Sequence, residues 1–221
     1  MKIIITGATG MVGEGVLLAA LEDQSVEKVL IINRNSYTLA HPKLEELIIK
    51  DFTNLDGHEA EISGYDACFF CAGVSSLGMS EEAYTKVTYD LTLSFARQVV
   101  ALNPQMTFTY VSGMHTDSTE KGRSMWARVK GKTENDLMKL PFKAVYNFRP
   151  GVMTPVPGQK NIKLIFNILL PVVKVLMPKK QVLALEEVAQ AMINAVSIGY
   201  PKSVLEIADI RTLAHAHVGL S

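Results

Sequence analysis

The sequence predicts an α/β fold, a doubly wound parallel sheet with helices on both faces. Short apolar runs alternate with helical patterns over residues 1–151, and this alternation is typical of parallel sheets. Each apolar run ends in small or polar residues, as expected where ligands bind at the carboxyl ends of strands. With 221 residues, 48% of them apolar, the chain is long enough to form one domain with a large core.

The predicted elements follow one another in regular order. Lys2–Thr6 is a short buried strand, and a helical pattern opens with Glu14. Further strands are predicted at 28–33, 47–49, 66–73, 106–111 and 144–148. Further helices are predicted over 81–102, where Asn103-Pro104 ends the pattern, and over 124–139.

The alternation weakens after Gly151. We predict a loop at 155–158, an apolar segment at 161–177, a helix over 185–198 and an edge strand at 204–207. The apolar segment contains Lys163 and Lys174 and is shorter than the ~20 apolar residues of a membrane span. A helix over a pocket is therefore favoured, with reversible membrane contact or a dimer interface as alternatives. The chain is interpreted as one domain, 1–221, with a core over 1–151 and a lid and flank over 152–221.

The turn after the first strand predicts a dinucleotide site and hence a Rossmann fold. Gly7 permits a tight turn, Gly10 lets backbone N–H groups approach a pyrophosphate, and Gly13 lets helix and strand pack closely. The positive end of the helix then faces the phosphates. The residues expected to bind the dinucleotide here are Thr6, Gly7, Thr9, Gly10, Met11, Val12 and Gly13.

The end of the second strand favours NADP(H) over NAD(H). An NAD site of this type carries an acidic residue at that position, whereas this strand ends in Asn33 followed by Arg34. The planar fork of Arg34 can pair with a 2′-phosphate, although it can also point into solvent. Asp51 could accept a hydrogen bond from the adenine amino group, or could simply cap a helix.

Composition excludes several classes of function. The formal net charge is zero, which gives no electrostatic argument for binding nucleic acid or an acidic membrane surface. Cys68 and Cys71 lie three apart on a predicted strand and point to opposite faces, so two buried structural thiols are favoured over a disulfide. No metal site is predicted. Met1 leads directly into the first strand without a signal peptide, so we expect a soluble cytoplasmic protein.

Several motifs together carry a family resemblance. The run Thr6–Gly13, the segment Cys71-Ala72-Gly73, the serine of Val111-Ser112-Gly113 and the turn Arg149-Pro150-Gly151 resemble the short-chain dehydrogenase/reductase superfamily in its extended and atypical branch. The chain is most similar there to Tat-interacting-protein-type oxidoreductases and to small proteins classed with the sugar-nucleotide epimerases. Lys179-Lys180 through Ala189 resembles their distal segment. The resemblance implies that Cys71, Ala72, Gly73, Lys130, Arg149, Pro150 and Gly151 contact the dinucleotide.

The resemblance also implies a proton-transfer pair that this chain lacks in part. In the family a tyrosine exchanges the proton of the alcohol, a lysine four residues later lowers the phenol pKa and binds the nicotinamide ribose, and a serine holds the substrate oxygen. Ser112 and Lys130 match the serine and lysine, but Trp126 occupies the tyrosine position. An indole N–H donates a hydrogen bond but is no acid or base near neutral pH.

Three functional hypotheses follow. The protein is an oxidoreductase or epimerase-like enzyme with another proton donor, for which His115 or a water held by Ser112 is proposed. Alternatively, it binds NADP(H) without catalysis, as a sensor or regulatory partner. A third hypothesis is an isomerase or lyase with a structural dinucleotide. The apolar lid favours a hydrophobic or small carbonyl substrate, and the helices at 81–102 and 124–139 could form a homodimer.

Overall fold

The computed structural model describes residues 1–162, 178 and 181–216 of the chain. The strands are β1 (Lys2–Thr6), β2 (Lys28–Asn33), β3 (Leu44–Ile48), β4 (Ala67–Phe70), β5 (Thr107–Val111), β6 (Ala144–Phe148), β7 (Val152–Thr154), β8 (Val182–Ala184) and β9 (Val204–Leu205). The helices are α1 (Met11–Glu22), α2 (Glu59–Ile62), α3 (Glu81–Thr85), α4 (Leu91–Leu102), α5 (Met125–Leu137), α6 (Leu185–Ser197) and α7 (Ile207–Ala214), and a π-helical turn at Lys86–Asp90 joins α3 to α4.

Seven of these strands form one sheet in the order β3-β2-β1-β4-β5-β6-β9, and every pairing in it is parallel. The predicted doubly wound parallel sheet is confirmed. The chain winds outwards from β1 to β3 and then returns to the other side of β1 with β4. This reversal opens a crevice at the carboxyl ends of β1 and β4, which is where such sheets bind ligands.

Helices cover both faces of the sheet because its central strands are apolar on both sides. Ile3 and Ile5 pack in one buried cluster with α1, α6 and α7, whereas Ile4 packs in a second cluster with α4 and the end of α5. Successive strand residues point to opposite faces, so one isoleucine-rich strand contributes to both clusters.

The sheet edges differ from the sequence prediction. The third strand begins at Leu44 rather than at residue 47, because its exposed glutamates Glu45 and Glu46 suit an edge strand and hide it from a search for apolar runs. The predicted edge strand at 204–207 ends at Leu205, and Ile207 begins α7. The side chain of Asp209 accepts the N–H of Glu206 at 3.2 Å, which fixes that helix start.

Residues beyond 151 are less irregular than expected. β7 and β8 form a separate two-stranded parallel sheet, and α6 packs against α1 with its buried residues in the same cluster as Ile3. The apolar segment, apart from residues 161 and 162, and Lys179-Lys180 lie outside the described residues. Within the described parts of the chain, no helix combines the length and apolar character that crossing a membrane requires.

Candidate functional site

The glycine turn between β1 and α1 has little free space. Gly7 adopts a φ of +75°, and a Cβ there would lie 2.7 Å from the backbone N of Ala72. A Cβ on Gly13 would lie 2.2 Å from the carbonyl oxygen of Gly7. A Cβ on Gly10 would meet that oxygen at 3.4 Å, which is ordinary contact. The fold therefore requires glycine at positions 7 and 13, whereas Gly10 leaves space open to a ligand.

The N-terminus of α1 is open as well. Gly10 occupies the N-cap position, and no side chain caps the helix. Thr9 and Gly10 are exposed, and Met11 and Val12 are partly exposed. Uncapped N–H groups at the positive end of a helix fit a pyrophosphate.

A groove runs from this turn across the carboxyl ends of β1, β2 and β4. Its lining residues are Gly7, Thr9, Gly10, Ile32, Asn33, Arg34, Asn35, Phe52, Cys71, Ala72 and Gly73. Thr6 joins the two central strands beneath it, since its Oγ1 accepts the N–H of Ala72 at 3.3 Å. Ile32, Asn35 and Phe52 were not predicted. Strand position alone could have indicated Ile32 and Asn35, which flank Asn33 and Arg34.

The end of the groove at β2 is polar, and no acid lies at the strand end. Asn33 is 2% exposed; its Nδ2 donates to Glu46 Oε1 at 3.3 Å, while its Oδ1 is buried and has no hydrogen-bond partner among the described residues. Arg34 is exposed beside it. Lys50 Nζ donates to the carbonyl oxygen of Arg34 at 2.5 Å, which brings a second cation to this end. A buried acceptor without a partner fits a hydroxyl or amino donor of a ligand.

Asp51 has a capping role, the second of the two predicted for it, and one of the two cysteines departs from its predicted burial. The Oδ1 of Asp51 accepts the N–H and hydroxyl of Thr53 at 2.8 and 2.6 Å, which caps its own turn and lowers the carboxyl pKa. Asp51 does not line the groove. Cys68 is buried, but Cys71 is partly exposed and lines the groove, because it follows the end of β4. The prediction of two buried thiols therefore holds for Cys68 alone.

Ser112 lies at the carboxyl end of β5 and is 6% exposed. Its hydroxyl lies within donating distance of a carboxylate oxygen of Glu134 on α5 and of the carbonyl oxygen of Phe148 at 3.1 Å. Glu134 is fully buried and was missed by the sequence analysis. The only signal in the sequence is a carboxylate one helical turn after Lys130, on the same face of the helix.

Arg149 neutralises Glu134. Its Nε donates to both oxygens of Glu134, at 3.0 and 3.2 Å, and its Nη2 bonds the same carboxylate. Nη1 reaches Glu206 at 3.1 Å, and Nη2 also reaches the hydroxyl of Ser118 at 2.5 Å. The guanidinium thus joins the ends of β6 and β9 to α5 and to the loop before α5. None of the Arg149-Pro150-Gly151 turn lines the groove of the glycine turn.

Lys130 lies beside Ser112, with its Nζ donating to the Ser112 carbonyl oxygen at 2.5 Å. Burial lowers the pKa of Lys130 to about 8, although the Glu134 carboxylate acts in the opposite direction. Trp126 lies one turn earlier, at the start of α5, and is partly exposed.

His115 lies in a different place from the groove. It is exposed, has a φ of 70°, and lines a cavity of about 430 Å³ together with Arg149, Gln181, Glu206 and Arg211. The backbone at Pro150 and Gly151 is tightly packed beside this cavity. Pro150 accepts the N–H of Met114 at 2.9 Å, and a Cβ on Gly151 would lie 2.3 Å from the carbonyl oxygen of Gln181. The structure therefore does not bring all the predicted residues together, because the groove and this cavity are separate and neither is lined by Ser112, Lys130 or Trp126.

Comparison with known proteins identifies a family and several relatives. The sequence profile of the NAD dependent epimerase/dehydratase family matches residues 3–118. A similar curated protein is "Leucinostatins biosynthesis cluster protein T" of Purpureocillium lilacinum, 33% identical over 144 residues, which are 63% of this chain and 52% of that protein. Another is "Protein FMP52, mitochondrial" of Candida glabrata, 27% identical over 169 residues, 68% of this chain and 63% of that protein. The matches thus span about half of the first relative and under two thirds of the second.

Solved structures show the same fold. The Bordetella bronchiseptica enzyme WbmF in complex with NAD+ superposes with a TM-score of 0.67 and 18% identity, covering 96% of this chain and 76% of that one. Uronate dehydrogenase from Agrobacterium tumefaciens gives a TM-score of 0.65 and 15% identity, covering 93% and 75%. At these identities the likeness concerns the fold alone.

Proposed function

Because the chain belongs to the NAD dependent epimerase/dehydratase family, we propose that it is an NADP(H)-dependent oxidoreductase or epimerase-like enzyme acting on a small carbonyl or alcohol substrate. The observation that carries the proposal is the end of the groove at β2, where the strand ends in the neutral Asn33, Arg34 is exposed, and Lys50 Nζ donates to the carbonyl oxygen of Arg34.

The choice of cofactor rests on charge. A carboxylate at the end of β2 would repel a 2′-phosphate, and Asn33 is neutral there. The nearby Glu46 carboxylate lies on β3 and already accepts from Asn33, from the Ser36 hydroxyl at 2.7 Å and from the Tyr37 N–H at 2.8 Å. Arg34 and Lys50 then supply the positive charge that a phosphate requires.

The remaining groove residues would hold the rest of the dinucleotide. The open N-terminus of α1 suits the pyrophosphate, and Gly10 leaves room for it. Cys71-Ala72-Gly73 lies at the end of β4, towards the carboxyl end of β5, where Lys130 is found. A bound nicotinamide supplies the hydride chemistry, and the protein orients the reactants and handles the proton.

Trp126 favours a second candidate function. An indole at the family's tyrosine position cannot transfer the proton. The protein would then bind NADP(H) as a sensor or as a regulatory partner, without turnover. A dinucleotide held only structurally, in an isomerase or lyase, is the third hypothesis.

The cytoplasmic location and the homodimer stay predictions.

Titration calorimetry with NADPH, NADP+, NADH and NAD+ tests the cofactor. We expect micromolar NADPH binding that weakens about 10- to 100-fold in Arg34→Ala, and by a smaller factor in Lys50→Ala, with NADH affinity unchanged. Lys86→Ala is the matched control. Lys86 is an exposed cation that pairs with Glu82, and neither residue lines the groove. Equal affinity of the wild type for NADH and NADPH would contradict the NADP(H) assignment.

A panel of carbonyl compounds then separates the two functions. NADPH oxidation with any of them supports the enzyme. NADPH binding without turnover across the panel supports the sensor.

A further inference from the structure

Lys130 places an amine at the edge of the sheet where ligands bind. Its Nζ donates to the carbonyl oxygen of Ser112, directly after the carboxyl end of β5. An ammonium group has three N–H donors, and Ser112 is the one acceptor that the described part of the chain offers it. Two N–H donors therefore remain for a ligand.

The groups around Lys130 determine how easily its ammonium group loses a proton. On α5 the nearest charge is the carboxylate of Glu134, which Arg149 from the end of β6 already neutralises. Directly after β5 the neighbouring group is the neutral Ser112 carbonyl, and Tyr110 on that strand is kept neutral because burial raises the pKa of its phenol. Glu206, beyond β9, pairs with the other side of Arg149. Burial of the amine therefore outweighs attraction, and its pKa falls to about 8, which is close to the pH of the cell.

Ser112, Trp126 and His115 are each less suited than Lys130 to give a proton to a ligand at this place. The single O–H of Ser112 has internal acceptors in Glu134 and the Phe148 carbonyl, so it is not free for a ligand. Trp126 is not an acid near neutral pH. His115 lines the separate cavity with Arg149 and Arg211.

We propose that the ε-ammonium of Lys130 is the proton donor in carbonyl reduction, and its neutral amine the proton acceptor in alcohol oxidation. The inference rests on the proposed function, and it replaces His115 in that role. During reduction an N–H bond of Lys130 breaks and an O–H bond forms on the substrate oxygen, while the reduced dinucleotide gives a hydride to the carbonyl carbon and is oxidised. Water then returns the proton to the amine.

The Lys130→Arg variant distinguishes the effect of a transferable proton from the effect of positive charge. A guanidinium keeps the positive charge at this position but cannot be deprotonated in this pH range. We expect NADPH affinity within about threefold of wild type and a kcat lower by about 100- to 10,000-fold, the usual contribution of a general acid. Lys132→Met is the matched control, because Lys132 lies over the ring of Tyr89, at 4.6 Å, on the outer side of α5.

The pH dependence gives the sign of the effect. The kcat for reduction should fall as the pH rises through the Lys130 pKa of about 8, and the kcat for oxidation should rise. A second measurement needs no turnover: the Nζ nitrogen-15 shift of the lysine signal that is absent from Lys130→Met should titrate near pH 8 in the wild type. Titration above pH 10 would overturn the proposal.

The outcomes distinguish this proposal from the one on which it rests. Turnover that survives Lys130→Arg with an unchanged pH profile would overturn the role of Lys130 and leave the enzyme in place. NADPH binding without turnover of any carbonyl compound would overturn the enzyme, and the proton donor with it.

Discussion

The single hydroxyl hydrogen of Ser112 limits the hydrogen bonds that this residue can donate to a ligand. A hydroxyl donates a single hydrogen bond, and that of Ser112 has Glu134 and the Phe148 carbonyl as acceptors inside the protein. The serine can still accept a hydrogen bond from an alcohol, but it cannot donate one to a carbonyl oxygen. Its main effect on the site is therefore positional, through the carbonyl oxygen that holds Lys130.

The buried carboxylate of Glu134 should be among the most sensitive positions in the chain. Glu134→Gln removes the charge that faces Arg149, which among the described residues then keeps the half-exposed Glu206 as its one ionic partner. We expect a loss of about 3 kcal/mol in the free energy of unfolding, measured with urea. Glu81→Gln, which breaks the more exposed pair with Arg128, should cost less than about 1 kcal/mol. Similar losses in the two variants would refute the idea that burial makes the difference.

The lowered pKa of Lys130 also predicts how stability depends on pH. The folded pKa is about 8 and the usual value is 10.5, so between these pH values the unfolded chain holds the proton more often than the folded one. Stability rises with pH wherever the unfolded state binds more protons. The free energy of unfolding of the wild type, relative to Lys130→Met, should therefore increase from pH 8 to pH 10 and stay constant below pH 7. Urea titrations at four pH values measure it, and a flat difference would contradict the burial of the amine.

The residues that form the glycine turn and the end of β2 could be predicted from the sequence, whereas buried side-chain pairs could not. The spacing of Gly7, Gly10 and Gly13 predicts the tight turn, and the position of Arg34 after a strand predicts its place in the groove. The spacing of Glu134 from Lys130 is not enough to distinguish it from an exposed helical carboxylate, because its burial depends on where α5 lies against β6. For the same reason the sequence left two roles open for Asp51, and in the structure its carboxylate caps its own turn.

At the scale of the first strand, turn and helix, Gly10 and Gly13 should respond differently to the same substitution. Gly13→Ala would push a methyl group to 2.2 Å from the Gly7 carbonyl oxygen, so the turn must shift and the melting temperature should fall by several degrees. Gly10→Ala meets that oxygen at 3.4 Å and should melt close to wild type. It should nevertheless weaken dinucleotide binding at least tenfold, because the methyl group occupies space for the pyrophosphate. Unchanged NADPH affinity in Gly10→Ala would exclude the turn as the phosphate site.

The accuracy of the strand predictions depends largely on position in the sheet, although the central strand β4 is an exception, since it ends at Phe70 and not at residue 73 as predicted. β1, β2, β5 and β6 are buried on both faces, so their apolar runs mark them to within a residue. β3 lies at one edge with exposed glutamates, and β9, at the other edge, pairs through two residues only. The wide π turn at Lys86–Asp90 leaves the predicted helix over 81–102 continuous, and no apolar periodicity indicates it.

At the scale of the whole molecule, the described residues from 185 to 214 contribute to the core rather than only covering it. Val188, Met192, Leu205 and Ile210 are fully buried in one cluster with Ile3 and Leu17 of the first βα unit. Glu14, fully buried in the first turn of α1, accepts the N–H groups of Lys160 and Asn161, the latter at 2.7 Å. The two predicted parts of the chain are thus joined by both packing and hydrogen bonds, which argues for a single cooperative unit.

Met192→Ala tests that unity. The substitution removes a fully buried side chain from α6 and should lower the free energy of unfolding by about 2 to 5 kcal/mol. Trp126 is the single tryptophan and lies on α5. The buried end of α5 belongs to the cluster on the face of the sheet opposite to Met192. If the chain unfolds as one unit, tryptophan fluorescence and far-ultraviolet circular dichroism shift to the same lower urea midpoint. If only the circular dichroism midpoint moves, residues 152–221 unfold separately, and α6 is a detachable flank rather than part of the domain.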